Sequence, residues 1–163
     1  MQRLLRTEEP DREQLPMKGY GILLGLFGVS FMTLMGWARR RKMFVEEIDV
    51  ADLIVLGVGS HKLARIITKD RITTVLRQPF TVYEGTEGAL PAEVTEHVRR
   101  DGGEFRAAVG ELLTCPYCAS TWSTTALFGT YLSDRKLGRT IGMFFSLIAV
   151  ADIAQKIYHD ILD

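Results

Sequence analysis

Cys115-Pro116-Tyr117-Cys118 is the stretch of this chain whose residue types and spacing could carry covalent chemistry, and it holds both of the chain's cysteines. Proline suits the first turn of a helix, where its missing N–H costs nothing. That would set Cys115 at a helix cap. Free backbone N–H groups and the positive end of the helix dipole favour a thiolate there, and a thiolate is the reactive form. Cys118 would follow one turn further in, against neighbouring helices. Three readings stay open. The pair could be structural, as buried thiols or a static disulfide shaping the helix entrance. It could be a redox dithiol, with Cys115 as nucleophile and Cys118 as resolving thiol. It could be half of a metal site, but zinc takes about four ligands and nothing in the spacing of His61 and His97 requires them to complete the set. No metal and no other cofactor is assigned.

A second group of candidates lies inside apolar stretches: His61, Arg65, Asp152 and Gln155, with Lys156 beside them. A carboxylate near a bilayer core is costly and normally faces a partner inside a bundle. Asp152 and Lys156 are four apart and could pair along one helix. His61 or Arg65 is the candidate partner across helices. Such a set could form a polar pathway, or it could clamp helices together. Lys69, Arg71 and Arg77 form a basic run that reads as a solvated helix face or a contact for lipid headgroups.

The elements that must position these residues are mostly helices. Tyr20 to Ala38 is uncharged for nineteen residues and is followed by Arg39-Arg40-Arg41-Lys42. That run is close to the roughly 20 residues needed to cross a bilayer. Tyr20 and Trp37 mark its ends as interfacial aromatics do. Gly21 and Gly25 suit close packing within the bundle or against a second copy. The apolar run is too long, and its basic cluster on the wrong side, for a simple secretory signal. A second helix is expected over about 51–68, a third span over about 112–132, and a fourth over about 141–158. Residues 69–111 read as a loop overall: 69–80 is amphipathic and basic up to Pro79, 81–103 is punctuated by Gly85, Gly88, Pro91, Gly102 and Gly103 with one short surface helix near 91–100, and 105–113 is amphipathic and leads into Cys115.

Lysine plus arginine equals aspartate plus glutamate, at 20 each, so the charge balance gives no case for a nucleic-acid partner. The length of 163 residues fits one domain. The sequence lacks a phosphate-binding glycine loop, a metalloprotease histidine pair, a nucleophile elbow and a dinucleotide fingerprint.

Two resemblances bear on these residues. The tetrad CPYC resembles the active-site motif of glutaredoxins, although the strand–helix pattern of that fold does not surround it here. More broadly, HKLARIITKDRITTVLRQPFT (61–81), GELLTCPYC (110–118) with Trp122, and Ala151-Asp152 with Gln155 resemble a bacterial and phage family of small multi-spanning membrane proteins catalogued as a domain of unknown function. The likeness covers about residues 45–160. The family usually has Leu-Gly after the second cysteine, where this chain has Ala119-Ser120. The resemblance implies membrane residence and a shared core. It brings no reaction, ligand or catalytic assignment.

The expected fold is all-α: an integral membrane bundle of three or four transmembrane helices, with a polar segment at 1–19 and one domain over 20–163. The expected place is the bacterial cytoplasmic membrane, multi-pass, with the lipid bilayer as partner and a further protein or a second copy as possible company. The positive-inside tendency puts Arg39 to Lys42 and Arg135 to Arg139 on the cytoplasmic side. The function read from this is a structural or interaction role without catalysis of its own. A membrane thiol–disulfide oxidoreductase using Cys115 and Cys118 is the alternative. A small transporter or channel subunit built around Asp152 is a further one.

Overall fold

The structure, a computed structural model, describes residues 15–45, 47–85 and 93–162. Helix α1 runs Met17–Arg40 and α2 Val50–Thr68. A turn of 3-10 helix at Arg71–Thr73 leads into α3, Thr74–Arg77. Strands β1, Thr81–Gly85, and β2, Thr95–Val98, come next, then α4, Gly103–Thr114; α5, Pro116–Ser133; and α6, Arg135–Leu162. Of the expected polar segment 1–19, residues 1–14 lie outside the described residues, and Met17 to Gly19 already belong to α1.

Three helices carry the core: α2 packs against both α5 and α6, which also pack on each other, while α1 leans chiefly on α4. Local chemistry sets the helix ends. Asp49 caps α2, its carboxylate accepting the Ala51 N–H at 2.7 Å. Asp134 is the single residue between α5 and α6, and its carboxylate accepts the Lys136 and Leu137 N–H groups at 2.9 and 3.0 Å. Leu56, Leu127 and Tyr131 form the buried cluster, with Val45, Ile48, Phe128 and Ile141 against it. The α2–α6 crossing is close because two glycines meet there. A Cβ on Gly59 would stand 2.7 Å from the Gly142 carbonyl oxygen. Ser146 adds a bond across the same crossing, its hydroxyl donating to the Val55 carbonyl at 2.8 Å.

α1 and α6 are long and apolar enough to cross a membrane, and the outer faces of both are bare. Leu24, Leu26, Val29 and Met32 on α1 are exposed, as are Phe144, Leu147, Val150 and Ile153 on α6. Gly19 packs closely on α4, but Gly21 and Gly25 do not pack inside the bundle. Among the described residues, nothing lies within 4 Å of where a Cβ would sit on Gly21, Gly25 or Gly28.

The segment 69–111 is not the loop that its glycines suggest. It folds into α3, a two-stranded sheet and α4, so the chain is mostly helical rather than all-α. β1 and β2 pair antiparallel, Thr81 opposite Val98 and Tyr83 opposite Glu96, and Asp70 bridges Glu93. Where a surface helix was expected near 91–100, residues 95–98 are strand, and 91–92 lie outside the described residues. The cause is Arg77. It was read as part of a solvated basic face, yet it is fully buried. Its Nε and one terminal nitrogen donate to the Glu96 carboxylate at 2.9 and 2.8 Å. The remaining donors reach the Ile67 and Asp70 carbonyls and the Thr73 and Thr74 hydroxyls. A guanidinium so saturated organises the loop around itself. Burial raises the Glu96 carboxyl, but bonds from Arg77, Thr81 and Thr74 outweigh it and hold the group below the usual carboxylate range.

Candidate functional site

Cys115 is the one residue between α4 and α5, and it serves both helices. Its N–H donates to the Glu111 carbonyl at 3.1 Å and closes α4, and its carbonyl accepts the Ala119 N–H at 3.0 Å. Its Sγ takes the place of a capping oxygen, accepting the Cys118 N–H at 3.3 Å. Pro116 occupies the first position of α5, as the sequence anticipates. Both thiols are free. Cys115 is half-buried. Cys118 is exposed rather than set against neighbouring helices, because Ala119 and Ser123 are the residues that turn α5 inward. Tyr117 stands between the thiols at 87% exposure.

The same end of the molecule is tied together by charge. Tyr20 of α1 donates its hydroxyl to Glu111 of α4, and Arg100 donates to the other Glu111 oxygen at 3.2 Å. At the end of α2, Lys62 pairs with Asp152 of α6 at 2.6 Å, and Arg65 pairs with Glu93. Asp70 lies in the same cluster. Burial raises its carboxyl and the Asp152 and Glu93 charges add to the rise, against the pull of Lys62 and Arg65.

Asp152 is therefore paired across helices, but with Lys62 rather than with His61 or Arg65. Position 62 looks toward α6 and is buried, whereas His61 looks outward and is exposed. Arg65 is taken by Glu93, and Gln155 and Lys156 are exposed on α6. His97 sits beside Glu84 at 3.1 Å, and among the described residues no three His, Cys, Asp or Glu side chains converge to hold a metal ion.

The opposite end holds a feature that sequence reasoning passed over. Asp52 is fully buried near the start of α2. Tyr131 donates to its Oδ2 at 2.7 Å and Arg135 to the same oxygen at 3.2 Å. Arg139 Nε stands 3.1 Å from Oδ1, a charge contact off the line of a hydrogen bond. The signal was available: an acid in the first turn of an apolar helix, with arginines four apart opening another. Tyr131→Phe should lower stability by about 1.5–3 kcal/mol, the range for a hydrogen bond to a charged group. The thermal midpoint in detergent measures it. An unchanged midpoint would mean the arginines alone hold Asp52.

Residues 55–158 match the family described as Protein of unknown function (DUF1360), which is most of the chain. The chain belongs to that family. It is also 26% identical over 107 residues to the Sporulation protein YjcA of Bacillus subtilis (strain 168), a stretch covering 66% of this chain and 87% of that relative. No solved structure matches. The DUF1360 match takes in α5 and most of α2 and α6, and so both ends of the Lys62–Asp152 pair and both cysteines. It names no activity for them.

Proposed function

We propose that this DUF1360 protein is a multi-pass protein of the bacterial cytoplasmic membrane, with α1, α2, α5 and α6 crossing, and that its role is structural or interaction-based. The observation that carries the reading is the bareness of the two most apolar helices. Their apolar windows are only 6% buried in α1 and 17% in α6, whereas the core helix of a soluble protein is mostly covered. Lengths agree with it: at 1.5 Å per residue α1 and α6 reach about 36 and 42 Å, and α2 and α5 about 28 and 27 Å, against a hydrocarbon core of roughly 30 Å. α2 carries charge, but Asp52, Lys62 and Arg65 are each paired, as intramembrane or interfacial charges must be. The open glycine face of α1 is the place where a second copy would pack.

The transporter reading finds less support, since Leu56, Leu127 and Ile141 pack between the Asp52 and Lys62 pairs. The name of the Bacillus subtilis relative offers spore formation as one setting in which to look for the role.

Carbonate washing of membranes should leave the protein in the pellet, and detergent should release it. Reporter fusions should place the basic turns after α1 and α5 inside, with the start of α1 and the 69–112 segment outside. Release by carbonate alone would overturn the reading.

A further inference from the structure

We propose that Cys115 and Cys118 form a thiol–disulfide exchange site acting on protein disulfides or dithiols, at the end of the bundle remote from the basic turns. The exchange chemistry stands apart from the membrane reading. Only the side on which the substrate waits rests on it.

The geometry gives the two thiols different work. Cys115 Sγ is the cap acceptor of α5. That bond fixes Cys115 Sγ at the start of α5, on the same turn as Cys118. Cys118 sits three residues on, where helical neighbours stand with Cβ atoms about 5–6 Å apart. A small rotation brings that to the roughly 3.5–4.5 Å of a disulfide. Access is the second, independent observation. Cys118 is exposed, and Tyr117 offers a macromolecular substrate an exposed ring between the two sulfurs. A purely structural pair would not need an open face.

In the forward direction the Cys115 thiolate attacks one sulfur of a substrate disulfide. A Cys115–substrate S–S bond forms, the substrate S–S bond breaks, and its other sulfur leaves as thiolate. Cys118 then gives its proton to water and attacks Cys115 Sγ. The Cys115–Cys118 disulfide forms and the second substrate thiolate departs. Two electrons have passed from this chain to the substrate, and a second protein dithiol returns them by the reverse steps.

The test uses the full chain in mild detergent, equilibrated with reduced and oxidised glutathione at set ratios and then tagged with a maleimide of large mass. One transition between doubly tagged and untagged protein is expected. With oxidised glutathione, Cys118→Ser should hold a stable adduct at Cys115. Cys115→Ser, which keeps a capping oxygen, should form its adduct about tenfold more slowly at pH 7. Alkylation at neutral pH should be faster in Cys118→Ser, which keeps Cys115, than in Cys115→Ser. Absence of an untagged species at every ratio, or faster reaction at Cys118, would overturn the exchange site. An impermeant maleimide should label sealed cells from outside. Labelling from the cytoplasmic face alone would overturn the placement of the substrate, and carbonate release of the protein would overturn the membrane reading by itself.

Discussion

Replacing Arg77 by alanine is expected to unfold the segment between α2 and α4 while α2, α5 and α6 stay packed. Arg77 and Glu96 are paired with side-chain exposures of 0% and 2%. Removing one partner of a buried pair costs roughly 3–5 kcal/mol, because the other is left buried and uncompensated. Here the loss is wider, since Arg77 also satisfies the Ile67 and Asp70 carbonyls. Arg77→Lys should recover little, as an ammonium cannot reproduce the planar fork. Hydrogen exchange resolves the effect. Amides of 81–85 and 95–98 should lose protection in Arg77→Ala, while those of the α2–α6 crossing keep theirs. Unchanged strand protection would refute the account.

The same pair sets a pH dependence. Glu96 is lowered in the folded chain, so its contribution is present above the unfolded carboxylate value of about 4.3 and is lost as pH falls through the folded value. Asp70 is raised and works in the opposite sense, its contribution fading as pH rises from about 3.9 toward its folded value. Glu96→Gln should therefore flatten the acid-side loss of strand protection, and Asp70→Asn should steepen it.

The helices were legible because their signals are local. An uncharged run, an apolar helical stretch and a proline after a cysteine each act within a few residues, and α1, α2 and the Cys115 cap follow from them. What stayed hidden depends on distance along the chain. Arg77 reads as one more surface cation until Glu96, nineteen residues later, folds over it. The hairpin that does this has short strands between glycines, which look like loop. Asp152 announces that it needs a partner, but three basic side chains, His61, Lys62 and Arg65, lie within five positions of α2. Only the angle at which α2 crosses α6, fixed by Gly59 against Gly142, selects Lys62.

That selection supports the second large effect. Asp152→Leu should destabilise the protein in detergent by about 3–5 kcal/mol, because it strands Lys62, whose side chain is 8% exposed. Lys62→Leu should cost less, since the Asp152 side chain keeps 29% exposure and can draw on water. The double replacement Lys62→Leu with Asp152→Leu should be more stable than Asp152→Leu alone. An apolar pair of similar volume often matches or exceeds a buried ion pair, and residues in contact are not additive. Asp160→Leu is the control, as Asp160 is exposed near the end of α6 and should change stability by less than about 0.5 kcal/mol. Thermal midpoints of the four variants give the comparison. If Asp152→Leu and Asp160→Leu behaved alike, Asp152 would have to be hydrated and the α2–α6 crossing held by its glycines alone.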